Sequence, residues 1–252
     1  MSNTEYTSDF FDAIRSGSRS SATTVAPIVL QLARPKSVVD VGCGDGTWLS
    51  VFRQLGITDT VGLDGDYVDR QSLQIPQDQF KATDLSSPFE LSRTFDLALA
   101  LEVAEHLPPE SAAGFVKSLT LLAPVVLFSA AIPLQGGTQH LNEQWPRYWV
   151  ALFKNHDFVP IDCIRGRIWE NEEVEWHYAQ NTLLFAKAER LREDQDLRIA
   201  SEKPNLQQLP LVHPRRFSQP FRCGVRDALR LLAQALMNGA RKRIPALPGT
   251  RY

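Results

Sequence analysis

Val38-Val39-Asp40-Val41-Gly42-Cys43-Gly44-Asp45-Gly46-Thr47 is the stretch on which the reading of this chain turns. A short apolar run ends in a carboxylate and passes at once into glycines at alternate positions. A helical pattern over Trp48–Leu55 follows, closed by Gly56. Glycines so placed let the backbone turn tightly and approach a ligand with no Cβ in the way. Such a turn either closes a strand–helix unit or cradles a ligand, and the loop by itself does not choose between the two.

Outward from it, apolar runs bounded by turn residues recur at Ser37–Val41, Thr60–Leu63, Phe95–Leu101 and Val125–Ala130, with a weaker one at Gln79–Thr83. Pro109–Leu122 is a further helical stretch. Short continuous apolar strands alternating with helices predict a parallel sheet covered on both faces. Glu143–Asn155 reads as a helix, and two longer strands, Ile161–Trp169 and Asn181–Lys187, as an antiparallel hairpin at the sheet edge. The expected fold is α/β: a Rossmann-like, seven-stranded, mostly parallel sheet with a C-terminal antiparallel hairpin and helical extensions at both ends.

Three regions are expected. Residues 1–36 hold N-terminal helices capping the site: a short one carrying Phe10, Phe11 and Ile14, then Ser20–Leu32. Residues 37–189 form the ligand-binding domain. Residues 190–252 comprise an extended linker to 217, containing Pro204, Pro210 and Pro214, and a basic amphipathic helix over Gln219–Arg243.

With 43% hydrophobic and 22% charged residues in 252, the chain reads as globular. Its net charge of −2 conceals an asymmetry: residues 189–252 carry 13 Lys+Arg against 6 Asp+Glu, and residues 1–188 carry 14 against 23. On the last helix Arg222, Arg226 and Arg230 lie opposite Val225, Leu229, Leu232 and Leu236. That arrangement suits an acidic partner, an anionic membrane surface, RNA, or the acidic body itself. The body lacks the basic stripe of a nucleic-acid binder. Cys43, Cys163 and Cys223 are too scattered for a zinc or disulfide framework, so a reducing, cytoplasmic setting is expected. Val25–Ala33 is too short to span a membrane and contains Pro27, and no secretory signal pattern is seen.

Carboxylates recur at strand ends. Asp64 ends the second strand, where a carboxylate suits both hydroxyls of a ribose, and Asp84 follows the third. Asp84 suits an adenine amino group, with the Leu85 N–H donating to the ring. Taken singly, each is as well explained as a turn residue or a helix cap. Three at successive strand ends lie where open α/β sheets bind ligands. A dinucleotide fingerprint requires glycine at 47, where Thr47 stands. With these residues in place, residues 30–190 resemble the class I S-adenosylmethionine (SAM)-dependent methyltransferases. The resemblance implies SAM as methyl donor, with Asp40, Gly42, Gly44 and Gly46 near its methionine part. It also implies Asp64 on the ribose, Asp84 and Leu85 at the adenine, and Tyr67 packed on the adenine face.

A second constellation follows the fourth strand, in Leu101-Glu102-Val103-Ala104-Glu105-His106-Leu107. A helical turn starting at Glu102 places Glu102, Glu105 and His106 on one face. His140, in the loop after the next strand, is a fourth candidate. Two carboxylates and two imidazoles suit Mg²⁺ or another divalent cation. Two other readings stand beside this one: acidic residues favoured at a helix start, or His106 or His140 as a general base. The E-x-x-E-H pattern resembles metal-dependent O-methyltransferases of the ubiquinone pathway and those that methylate the terminal 2′-hydroxyl of small RNAs. The stretch His140–Pro146 resembles methyltransferases of glycan and natural-product pathways. Trp145 and Tyr148 suit stacking on an acceptor, Trp149 the core.

The expected activity is O-methylation of a hydroxyl on a small molecule, a glycan or secondary metabolite. RNA ribose 2′-O-methylation and a non-catalytic SAM-binding regulatory domain are the alternatives.

Overall fold

Val38, Val39 and Val41 are β-branched and fully buried, and with Ser37 and Asp40 they form β1 (Ser37–Val41). A strand this apolar belongs inside a sheet. It pairs in parallel with β2 (Asp59–Asp64) on one side and β4 (Leu97–Leu101) on the other. The short β3 (Phe80–Ala82) extends the sheet beyond β2, and β5 (Val125–Ser129) extends it beyond β4, both in parallel. β6 (Phe158–Ile161) and β7 (Leu183–Lys187) complete it as antiparallel strands, giving the order β3-β2-β1-β4-β5-β7-β6. The expected seven-stranded Rossmann-like sheet is therefore present. The chain is described here by a computed structural model over residues 8–202 and 209–218.

Helices α1 (Ser8–Ala33) and α2 (Thr47–Gln54) cover one face of the sheet, and α3 (Ala112–Leu122) and α4 (Pro146–Lys154) the other. On the first face Val25, Val29, Leu49 and Phe52 pack with Leu97, Leu99 and Leu127. On the second, Phe115, Leu119, Trp149 and Phe153 pack with Val126 and Phe185, whose ring stacks on that of Phe153 at 3.9 Å between centroids. Each such side chain contributes about 1.5–3 kcal/mol on burial. Trp149, 2% exposed, is an anchor of α4 in this core.

Three stretches differ from the sequence expectation. The two N-terminal helices are one, α1, running unbroken through Gly17-Ser18. Packing outweighs the weak helix propensity there: Gly17 lies against the Glu175 side chain, which a Cβ would displace.

The expected strand Ile161–Trp169 stops at Ile161, and Arg165–Ile168 forms α5. The Arg165 side chain is 2% exposed and is held by Asp162 and by the carbonyls of Gln180 and Leu209, which draws the chain away from the sheet. The antiparallel edge strands are thus joined through α5 and α6 (Trp176–Asn181).

Residues 190–201, expected as extended linker, instead lie in α7 (Ala188–Glu193) and α8 (Gln195–Ser201). Asp194 caps α8 by accepting from the Asp196 and Leu197 N–H groups, and also pairs with Arg34 and Arg190. A short helix, α9 (Arg215–Ser218), ends the described chain, and the expected basic helix Gln219–Arg243 lies outside the described residues. Among the described residues no helix is long and apolar enough to cross a membrane.

The ends of β1, β2, β4 and β5 open onto one edge of the sheet. Because β7 runs the other way, it is the start of β7 that reaches this edge, bringing Gln180 and Asn181 beside the residues that follow β4 and β5.

Candidate active site

At the end of β1 the chain turns through Gly42, Gly44 and Gly46, all at positive φ. The Gly42 and Cys43 N–H groups both donate to the Leu63 carbonyl, at 2.7 and 3.1 Å, which fastens the turn to β2. A Cβ on Gly42 would lie 2.3 Å from Val103 Cγ2, so the turn presses directly against the segment after β4. Asp45 accepts from the N–H and hydroxyl of Thr47, at 3.0 and 2.6 Å, in a turn that leads into α2.

Asp64, 5% exposed, is held on both oxygens. Oδ2 accepts the Gly44 N–H at 2.7 Å, and Oδ1 accepts the Gly65 N–H at 2.7 Å and the Tyr67 hydroxyl at 2.5 Å. Tyr67 is otherwise exposed. Asp40 is 3% exposed; burial first, and then the nearby charge of Asp64, push its carboxyl up to about 7. A cationic ligand placed there would offset both effects.

Asp84 lies exposed beyond β3, where its carboxylate accepts from Ser86 (N–H and hydroxyl) and from the Ser87 hydroxyl, and these bonds hold it below the usual carboxylate range. Leu85 is buried in the core beside Phe89 and Phe115. Asp40, Asp64 and the glycines thus converge, whereas Asp84 is turned into its own serine turn. Cys43 is a buried thiol, and the large pKa rise that burial gives it makes it inert.

After β4 the local structure differs from the helical turn expected from Glu102. Glu102 sits at φ 55°, and only Ala104–His106 form a 3-10 turn. The left-handed conformation, a strain of about 1–3 kcal/mol, is held by the Glu102 N–H donating to the Ser129 carbonyl (3.0 Å) and hydroxyl (3.1 Å).

Three of the four anticipated residues meet even so: ligand atoms of Glu105, His106 and His140 lie within 4.8 Å of one another. Glu105 is fully buried and both of its carboxylate oxygens lack a hydrogen-bond partner. Burial, with the neighbouring Glu102 charge second, drives its pKa well above the usual range. Burial and the adjacent His140 lower that of His106, which keeps its imidazole neutral. The two imidazoles stand edge to face, 4.9 Å between centroids. The Glu102 carboxylate is held alongside, accepting from Gln135 Nε2 at 2.8 Å and Asn181 Nδ2 at 3.0 Å.

His140 is oriented by a residue that sequence reasoning passed over. Its Nδ1 lies 2.9 Å from Glu143 Oε1, and Glu143 also accepts the N–H groups of Leu134 (2.8 Å) and Gly136 (3.0 Å). Half-burial opposes ionisation of Glu143, but these bonds outweigh it and hold the group below its ordinary value. A carboxylate only accepts, so Nδ1 carries the proton of this bond, and in the neutral ring Nε2 keeps its lone pair. That is how a carboxylate prepares a histidine to ligate a cation.

Residues 16–169 match a protein family described as a methyltransferase domain. The chain belongs to the class I SAM-dependent methyltransferases. The fold of this methyltransferase is similar to that of Streptomyces venezuelae DesVI, at 16% identity and a TM-score of 0.53, over 71% of this chain and 96% of that one. It is also similar to that of the Synechocystis magnesium protoporphyrin IX methyltransferase ChlM with bound SAH, at 17% identity and a TM-score of 0.51, over 74% and 90%. No curated protein matches the chain by sequence.

Within the methyltransferase, Tyr178 ties α6 to α1 and α2. Its hydroxyl accepts from Trp48 Nε1 at 3.3 Å and lies 3.4 Å from Ser18 Oγ on α1. Burial pushes it up to about 12, the Ser18 and Trp48 bonds opposing and the charges of Glu102 and Asp40 adding to the rise. Neither Tyr178 nor Gln135 carries a local signal that marks it. Glu143 and the pair Gln180-Asn181 do: the first falls three residues after a candidate histidine, the second is polar just before an apolar strand.

Proposed function

We propose that this enzyme methylates a hydroxyl group of a small molecule, with a divalent cation such as Mg²⁺ held by Glu102, Glu105, His106 and His140. The carrying observation is Glu105, a fully buried carboxylate with both oxygens unpartnered, beside two imidazoles. A buried carboxylate is tolerated when neutral or when a cation sits against it. The neutral state of His106 and the Glu143-oriented His140 fit the same donor set.

SAM fits the glycine turn. Asp40 faces its ammonium, Gly42, Gly44 and Gly46 admit its methionine part, and Asp64 exchanges its present donors for the ribose hydroxyls. Asp84 and the Leu85 N–H serve the adenine. Helix α1 covers this side, with Arg19 donating to Ser50 Oγ of α2 at 3.2 Å.

When bound, the cation supplies positive charge that lowers the pKa of an acceptor hydroxyl and fixes its position. The protein does the remainder. Glu102 and Glu105 neutralise the charge at the site, and His140, held by Glu143, fixes the acceptor side relative to the glycine turn. Gly42 against Val103 sets the spacing between donor and acceptor pockets, as the in-line transfer of a methyl group requires. Trp145, 42% exposed, is free to serve as a stacking surface for a sugar or aromatic ring, whereas Tyr148 packs against the core beside Trp149.

The experiment is label transfer from methyl-labelled SAM to pools of hydroxylated small molecules and, separately, to RNA, with and without chelator. Chelator-sensitive transfer to a small molecule is expected. Transfer that ignores the chelator removes the cation, and transfer to RNA alone replaces the small-molecule acceptor.

A further inference from the structure

Three buried side-chain amides run in sequence from the segment 209–218 to the Glu102 carboxylate. The two ends of an amide have nearly the same shape, so such a chain takes its direction from groups that can only donate or only accept. One end is the His213 main-chain N–H, which donates to Gln180 Oε1 at 2.8 Å. Gln180 Nε2 is thereby turned away from His213 and donates to Asn181 Oδ1 at 2.9 Å and Gln135 Oε1 at 3.1 Å. Gln135 Oε1 also accepts from Asn181 Nδ2 at 2.9 Å and the Ile132 N–H at 3.3 Å. With their oxygens occupied, the remaining N–H donors of Gln135 and Asn181 point to Glu102, one to each oxygen, at 2.8 and 3.0 Å. Both Glu102 oxygens accept, which defines the other end.

Around this chain the segment 209–218 is fastened by several further bonds, two of them close to the amides. Arg165 Nη1 bridges the carbonyls of Gln180 (3.1 Å) and Leu209 (2.9 Å). Arg216 Nη2 donates at 2.7 Å to the carbonyl of Leu134, in the loop that carries His140 and Glu143. The main chain of Glu102 is held by Ser129, so its side chain is the part with freedom left to lose, and the two amides remove it.

We propose that Gln135, Gln180 and Asn181 are positioning residues for Glu102, and that the segment 209–218, beyond the family-matched residues 16–169, sets the direction of this amide chain through the His213 N–H. The inference rests on the reading of Glu102 as a cation ligand. Partners that orient a metal-ligating group are typically worth about 10- to 100-fold in metal affinity.

The test uses the full chain saturated with SAH and Mn²⁺ as the probe, with free Mn²⁺ followed by electron paramagnetic resonance. Asn181→Leu and Gln135→Met should each weaken Mn²⁺ binding by about 10- to 100-fold while SAH affinity stays unchanged. Gln180→Met should weaken it in the same direction, although Gln180 touches neither Glu102 nor the cation. In a Glu102→Gln background the Asn181→Leu loss should disappear. Asn181→Ser, smaller and still polar, replaces Asn181→Leu if the latter does not fold. Variants that bind Mn²⁺ as tightly as the wild type overturn the inference alone. Equal losses with and without the Glu102 carboxylate do the same, since Asn181 would then act by another route. A wild type that binds no Mn²⁺ overturns the cation reading, and the inference with it.

Discussion

The main-chain carbonyl of Glu105 accepts the N–H of Leu141 at 2.7 Å, and that of Asn142 at 2.9 Å. The loop carrying His140 therefore hangs from the residue whose own carboxyl is buried against that histidine. Ligand atoms from β4 and from the loop after β5 are brought together by main-chain bonds, which substitution at the ligand side chains leaves in place.

Glu105 should accordingly be replaceable without loss of fold. Its unpartnered carboxyl opposes folding when no cation is present, so Glu105→Met should raise the melting temperature of the metal-free protein, by roughly 3–10 °C. The same variant should bind no Mn²⁺. Calorimetry with and without Mn²⁺ checks both, and a metal-free variant that melts below the wild type would count against the reading.

Asp40 gives a pH dependence. Its carboxyl titrates at about 7 when folded, against an ordinary 3.8, so between these values the folded state holds a proton that the unfolded state has released. Stability therefore falls as pH rises across that window, by about 4 kcal/mol in all, and then levels off. Asp40→Asn should melt higher than the wild type at pH 8, lose that advantage toward pH 4, and bind SAH more weakly. Melting curves across this range and titration with SAH measure the two effects.

Asp64→Ala should weaken SAH binding by about 10- to 100-fold, the worth of one or more hydrogen bonds to a charged group. Tyr67→Phe removes a donor that the ribose hydroxyls would displace in any case, and should leave SAH binding within about tenfold of the wild type. Isothermal titration of both variants decides it; the reverse ranking would place the ribose elsewhere.

Gly42→Ala meets two obstacles, a backbone at φ 84° and Val103 Cγ2 at 2.3 Å from the added Cβ. Stability should fall by about 1–3 kcal/mol from the backbone alone, with the clash in addition. Val103→Ala in the same chain should restore the part due to the clash and leave the rest. Full recovery in the double variant would show that the backbone conformation is not a constraint.

What was legible in the sequence follows from what is local. The valines of β1, the alternate glycines and the aspartates Asp40 and Asp64 are short-range patterns and lie in the expected strands and turn, whereas Asp84 turns back onto Ser86 and Ser87. His140 was legible as a residue type in the right loop. The setting of Glu102 was not, because its left-handed backbone leaves no mark in the residues Glu102-Val103-Ala104. Its partners Gln135 and Asn181 are 33 and 79 residues away, a distance no periodicity spans. Helices α7 and α8 were hidden for another reason: each is short and buries a single leucine, Leu191 or Leu197, among mostly charged and polar residues. Arg165 misled by its company, since the apolar residues around it read as a strand until the buried guanidinium is seen.

The reversed direction of β7 has a consequence for how the enzyme can be altered. On the reading proposed above, the acceptor wall is assembled from chain that leaves the sheet after β4 and β5 and from chain that enters it before β7, whereas the donor pocket draws on the ends of β1, β2 and β3. Substitutions at Gln180 and Asn181 would then bear first on what is methylated, while Tyr178, bonded to Trp48 beside the glycine turn, ties the same stretch to the donor side.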